Sequence, residues 1–266
     1  WAIKNNIQTV NEFFNKNSAN NQKSFVGNTD AICAANVICH VPDLNDLVRG
    51  VDILLNKKGL FIFEEPYLGS MFEKISYDQI YDEHIFMFSV TSINKIFKLF
   101  EMELIDVYPQ TTHGGSMRYI VGRKNNHKIS NNVKIHLENE KVNNLDNISS
   151  CNTFKKKCEL SKLKTRENLL KFKENNNKIA GYAATSKSTT ILNYCNIDNH
   201  VIDYICDTTP EKIGKFSPGT HIPIVDMSHF KKFTPDVAYL FAWNHKDEIF
   251  KKEKNYKGKW FSHVSL

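Results

Sequence analysis

Within eight positions, the stretch YDQIYDEH brings together Tyr77, Asp78, Tyr81, Glu83 and His84. A histidine beside a carboxylate is what general-base catalysis asks for, because imidazole exchanges its proton near neutral pH. Tyr81 is spaced to share that proton or to hold an oxyanion. The same residues also suit a polar surface loop with a satisfied histidine, and spacing alone does not choose. His40 follows an apolar run, DAICAANVIC, so it marks either a ligand crevice or a capping position. The loop THGGS (112–116) has paired glycines, His113 and Gly114 among its residues, and Arg118 just after it. Glycine lets backbone approach an anionic ligand closely, although a tight hairpin connection explains the pair equally well. GYAATSKSTT (181–190) runs from a strand into a helix, and its amides, hydroxyls and Lys187 form either a phosphate cradle or a well-capped helix start. It is neither GxxxxGK[ST] nor GxGxxG.

The elements that must position these residues alternate. Segments 7–13 and 30–39 read as strands, the second buried on both faces like an inner parallel strand. A helix over 44–55 leaves through Asn56-Lys57-Lys58-Gly59, with Gly59 as its left-handed end. Strand 60–64, helix 91–100 and strands 103–107 and 118–121 follow, the last pair joined tightly enough to finish the sheet antiparallel. Such alternation predicts an α/β doubly wound sheet. Residues 126–177 are polar and rich in Asn and Lys, and read as a linker followed by a connecting helix over 152–174. A second, smaller α/β domain starts at 178, with strands over 178–183, 201–206, 222–225, 237–243 and 260–264 and helices over 189–194 and 246–254. The expected divisions are thus 1–125, 126–177 and 178–266.

Composition narrows the classes. Of 266 residues, 41% are hydrophobic and 24% charged, near a soluble globular average. The longest apolar runs fall far short of the roughly 20 residues that span a bilayer. No charged-then-apolar leader follows Trp1, so a soluble cytoplasmic chain without a membrane partner is expected. The net charge of +6 is carried almost wholly by Lys, with Arg only at 49, 118, 123 and 166. Nucleic-acid binding calls for Arg clustered with aromatics, and none is expected. Cys33, Cys39, Cys151, Cys158, Cys195 and Cys206 form no CxxC pair, so tetrahedral zinc is not expected and free, mostly buried thiols are.

Six blocks taken in order resemble the sugar C-methyltransferases, which use S-adenosylmethionine to methylate C-3 of 4-keto-deoxy nucleotide sugars. They are ANVICHVPDLND (35–46), EEPYLGSMFEKISYDQIYDEHIFMFS (64–89), THGGSMR (112–118), GYAATSKSTTILNYC (181–195), KFSPGTHIPI (215–224) and FAWNH (241–245). The resemblance implies a partial class I methyltransferase (Rossmann-like) sheet up to about residue 125 and a substrate-anchoring α/β domain from 178. It also implies an upstream zinc-binding domain and an upstream glycine-rich cofactor loop. The chain is therefore expected to be the C-terminal two thirds of such an enzyme, with most of the cofactor site, and any zinc, lying upstream.

Carried over position by position, the family's active-site histidine falls on His40 and its Tyr-x-Glu-His motif on Tyr81, Glu83 and His84. These give His84 as base, Glu83 as its orienting partner, and Tyr81 and His40 as donors to the substrate. Ala35 and Asn36 fall beside the cofactor; His113, Gly114, Arg118 and Lys187 fall on the side of the nucleotide sugar, expected to be thymidine-diphospho-linked. The chain departs from the pattern in two places. Asp82 stands where members commonly have His, and GYAATSKST has Ala183 where a glycine usually follows the tyrosine and lacks the usual proline before the lysine's neighbour. The competing expectations are a non-catalytic nucleotide-sugar-binding remnant and a nicotinamide oxidoreductase; the latter predicts GxGxxG after a strand, which this sequence lacks.

Overall fold

Alternating aromatic residues build the first sheet. Phe61 and Phe63 stack at 4.8 Å, and Phe63 stacks on Tyr119 at 5.0 Å, with Phe97 closing the cluster from a helix. All four are buried, as period-two placement on paired strands requires. The computed structural model describes residues 2–266. In chain order its first elements are α1 (Lys16–Val26), β1 (Thr29–Ala35), α2 (Leu44–Leu54), β2 (Leu55–Pro66) and α3 (Leu68–Lys74). Next come α4 (Val90–Lys98), β3 (Met102–Gln110), β4 (Ser116–Arg123), α5 (Asn131–Val142) and α6 (Ile148–Glu174). The remainder is β5 (Ile179–Tyr182), α7 (Ser186–Tyr194), β6 (Tyr204–Asp207), β7 (Ile224–Asp226), α8 (Met227–Lys232), β8 (Val237–Leu240), α9 (Lys246–Lys252) and β9 (Lys259–Phe261).

The chain forms two compact units, and they do not follow the linear divisions expected from sequence. One gathers residues 2–66, Ile85–Gln110 and Ser116–Val142; the other gathers Tyr67–His84, Thr111–Gly115 and Asn143–Leu266. The second unit is thus the larger, not the smaller, because two excursions from the first half of the chain and all of α6 belong to it. Both units are α/β. The first sheet has the order β1-β2-β4-β3, with β1 parallel to β2 and β4 antiparallel to both neighbours, the antiparallel finish expected. The second sheet, β7-β6-β5-β8-β9, is parallel throughout.

Several local expectations are corrected. Residues 7–13 form no strand; Ile7, Val10 and Phe13 are exposed, and a strand without a pairing neighbour has nowhere to place its amides. The run 30–39 stops being a strand at Ala35. Asn36 turns the chain at φ 53°, and a single 3-10 turn, Ile38–His40, follows. β1 is not an inner strand either: it lies at the sheet edge with Asp30, Ala31, Cys33 and Ala35 exposed. Gly59 is no helix end but part of β2, where a Cβ would press within 2.9 Å of the Thr29 carbonyl. The first half of the supposed linker forms α5, whose polar surface hides its helical period. Its buried Glu140 carboxylate accepts the Val90 and Thr91 amides at 2.6 and 2.8 Å, satisfying the open N-terminus of α4. Cys39, Cys158, Cys195 and Cys206 are buried free thiols, whereas Cys33 and Cys151 are exposed. No helix among the described residues is long and apolar enough to cross a membrane.

Ala183, just after β5, has φ 72°, in the left-handed region where a Cβ is penalised. Its carbon is therefore strained where a glycine would not be. Ala183→Gly is expected to raise stability by about 1 kcal/mol in urea unfolding; an unchanged or lower midpoint would show that the loop is not strained.

Candidate functional site

The second unit holds the densest constellation, and its rigidity starts at Tyr77–Gln79, a single 3-10 turn of fully buried residues. The Tyr77 ring packs against Tyr194 at 5.1 Å and His263 at 5.0 Å, and its hydroxyl stands 3.5 Å from Cys195 Sγ. Asp78 has no solvent exposure. Its Oδ2 accepts the Trp243 indole N–H at 2.7 Å, while its Oδ1 and His263 Nε2 face each other at 3.2 Å as a close pair without hydrogen-bond geometry. Burial works to raise the carboxyl pKa, but His263, the Lys187 ammonium and the Trp243 N–H together hold it below the ordinary value.

Five residues after Gln79 the chain has turned back on itself. His84 Nδ1 lies 2.8 Å from the Gln79 carbonyl, and His84 Nε2 lies 2.8 Å from the Tyr81 hydroxyl. A carbonyl only accepts, so Nδ1 carries the hydrogen and, in the neutral ring, Nε2 offers a lone pair to which Tyr81 donates. The two rings lie 4.0 Å apart between centroids. The orienting bond on Nδ1 thus comes from the main chain of Gln79, a residue that sequence reasoning passed over; Glu83, expected in that role, is exposed in the same turn.

Residues 111–115 close over the same unit. The half-buried His113 has φ 52° and Gly114 has φ 87°. Gly114 has to lack a side chain, since a Cβ there would stand 2.0 Å from the Trp243 ring. Lys187 Nζ donates to the His113 carbonyl at 3.4 Å and to Asn244 Oδ1 at 3.3 Å, and lies 4.9 Å from the centroid of the Trp243 ring. Lys74 Nζ donates to the Gly114 carbonyl. Burial pushes the Lys187 ammonium pKa down, and Asp78 works against that push. At the start of α7, the Thr185 hydroxyl accepts the Ser188 amide at 3.1 Å, while Asp207 Oδ2 takes the Ala184 amide at 2.6 Å. The helix start is thus capped by Thr185, as the second of the two sequence readings has it, and Asp207 of β6 holds the residue ahead of it.

In the first unit the relevant segment is the turn after β1. Glu65, fully buried, spreads its carboxylate over three main-chain amides: Val37 at 3.0 Å, Ile38 at 2.7 Å and Cys39 at 3.3 Å. The Glu64 carbonyl accepts the Asn36 amide at 2.8 Å, and the Glu64 carboxylate receives Arg118 Nε and Nη2 at 3.2 and 2.9 Å. Together the two glutamates fix Ala35, Asn36 and His40 at the carboxyl end of the sheet, where open α/β sheets bind ligands. Burial and the neighbouring Glu65 push the Cys39 thiol far up, so it is no nucleophile. Asn36 Oδ1 is buried without a hydrogen-bond partner. An orphaned acceptor beside the expected cofactor position fits a ligand that donates to it, such as an amine or a ribose hydroxyl.

The candidate residues thus divide: Ala35, Asn36, His40 and Arg118 lie in the first unit, and Tyr81, Glu83, His84, His113, Gly114 and Lys187 in the second. Asp78, Gln79, Glu65, Trp243 and His263 went unassigned. Asp78 and Gln79 lie inside the motif, Glu65 at the head of the same block and Trp243 inside FAWNH, so a signal existed for those four; His263 has none.

Residues 111–264 match a family model described as the C-methyltransferase C-terminal domain, and residues 2–107 match a methyltransferase domain. The C-methyltransferase NovU of Streptomyces niveus is 30% identical over 218 residues, covering 82% of this chain. The chain spans about half, 52%, of the length of that relative. A solved SAM-dependent methyltransferase from Anabaena variabilis ATCC 29413 is 16% identical, with a TM-score of 0.33 over 42% of this chain and 56% of that one.

Asp78 has its pKa lowered on folding, so the unfolded chain binds more protons and stability rises with pH across that interval. Its contribution is complete above the unfolded value of 3.8 and is lost as pH falls through the folded-state value. Asp78→Asn is expected to cost about 3–5 kcal/mol at neutral pH and to flatten the acid limb of the stability profile. An unchanged acid limb would show that the carboxylate is not what the fold relies on.

Proposed function

The chain belongs to the C-methyltransferase family, and from that premise we propose that it serves transfer of a methyl group to C-3 of a 4-keto-deoxy nucleotide sugar, thymidine-diphospho-linked. The observation that carries the reading is the His84–Tyr81 pair, with Nδ1 committed to a main-chain carbonyl and Nε2 left as the accepting atom. The name of the Streptomyces relative supports C-methylation; the sugar and its 4-keto group come from the sequence resemblance.

S-adenosylmethionine, when bound, supplies an electrophilic methyl group. Ala35 and Asn36 would hold part of it, with Asn36 Oδ1 as a buried acceptor. The chain's own task is to make carbon nucleophilic. A C-3 proton beside a keto group is acidified, and His84 Nε2 takes it as the Tyr81 hydroxyl turns from Nε2 toward the developing enolate oxygen. The imidazolium so formed keeps its Nδ1–H on the Gln79 carbonyl, which stabilises the charge without moving. His40 is assigned as a further donor to the substrate. His113 and Gly114, and Arg118 beside Glu64, are assigned to its anionic part. Lys187 serves the same end indirectly, its ammonium fixing the His113 carbonyl.

Replacing His84 with Gln keeps a polar side chain of similar reach but removes the base. Turnover with S-adenosylmethionine and a thymidine-diphospho-4-keto-deoxysugar is expected to fall about 10²–10⁴-fold, with sugar-nucleotide affinity little changed. Turnover within a few-fold of the parent would overturn the assignment.

A further inference from the structure

The turn that aims His84 is held by buried polar groups for which the proton transfer itself has no use. Asp78 is enclosed between the Trp243 N–H and His263, and His263 Nδ1 in turn lies 3.2 Å from the Tyr239 hydroxyl. The His263 side chain and Tyr239 are buried almost as completely as Asp78. A carboxylate without water around it cannot rotate away from its partners without losing them unreplaced. The next residue, Gln79, is buried to 1% exposure, its side-chain amide bound to Ser76 Oγ at 2.9 Å. Its carbonyl is therefore aimed by Asp78 before it and by its own side chain's bond to Ser76, and that carbonyl receives His84 Nδ1–H.

We infer that Asp78, clamped by Trp243 and His263, is a positioning residue that fixes His84 in its Nδ1–H tautomer through the Gln79 carbonyl. The consequence for catalysis rests on reading His84 as the base, whereas the tautomer does not depend on it. An imidazole freed from the carbonyl would divide between its two neutral forms, and the Nε2–H form has no lone pair at the atom facing Tyr81. Asp78 thus acts on the chemistry without touching the reacting atoms.

The test is long-range proton–nitrogen NMR of the full chain labelled with ¹⁵N-histidine, at neutral pH. The chain has ten histidines, and His84→Gln identifies the relevant signal by its loss. Trp243→Phe removes the indole donor and keeps an aromatic ring, and His263→Asn removes the opposite contact. The parent is expected to show His84 as the Nδ1–H form alone. In either variant, provided circular dichroism shows it folded, the Nε2–H fraction is expected to rise about fivefold or more, the worth of one hydrogen bond. Val201→Ala, a loosening of the same unit's core outside the cluster that holds Trp243, should leave the tautomer as it was. His84 unchanged in both folded variants, or shifted equally by Val201→Ala, overturns the inference. Should the tautomer shift as expected while His84→Gln retains turnover, the base assignment fails and the positioning stands.

Discussion

A single buried carboxylate governs the second unit. Asp78 sits three residues before Tyr81 and six before His84, yet its partners, Trp243 and His263, come from the far end of the chain. Folding must therefore close a loop of well over a hundred residues before the motif acquires its shape. An unpaired carboxylate at that depth is costly, and the indole N–H, the imidazole and the nearby Lys187 ammonium are what make its burial tolerable. Trp243 then reaches further than Asp78. Its ring lies against the Cα of Gly114 and beneath the Lys187 ammonium, so one side chain ties the motif turn, the glycine loop and the start of α7 together.

The first unit uses the same physics with different partners. Glu65 has no cation beside its carboxylate among the described hydrogen bonds; three successive amides from the turn after β1 take that place. Glu140 does likewise at the start of α4. In each case an acid placed by one element satisfies main-chain donors of another that would otherwise be orphaned. Ordered loops follow without long apolar segments. This explains how a chain so rich in Asn and Lys holds these turns still.

Strand and helix alternation, the antiparallel finish of the first sheet and the Tyr81–His84 pairing were all legible in the residues, because each rests on local spacing. Membership of the two units was not. Residues 67–84 read as an excursion beyond a strand end, and long-range contacts from Phe72, Lys74, Tyr77 and Asp78 assign them to the second unit. The end of β1 was misjudged for a related reason. Val37, Ile38 and Cys39 have strand-forming side chains, but a glutamate 26 to 28 positions away captures their amides. Glu83 beside His84 suggested a carboxylate orienter, and the structure adds a main-chain carbonyl on His84 Nδ1; backbone acceptors leave no trace in a sequence pattern. Ala183 shows the converse, since a departure from the family's glycine was visible and the structure supplies its meaning as a left-handed φ.

The central claim is that His84 and Tyr81 abstract a proton from substrate carbon. Proton NMR of the full chain with a thymidine-diphospho-4-keto-deoxysugar in deuterium oxide, with no methyl donor added, addresses it directly. The account predicts loss of the C-3 proton signal at a rate that requires His84. A sugar nucleotide that binds while its C-3 hydrogen persists at the uncatalysed rate would contradict it.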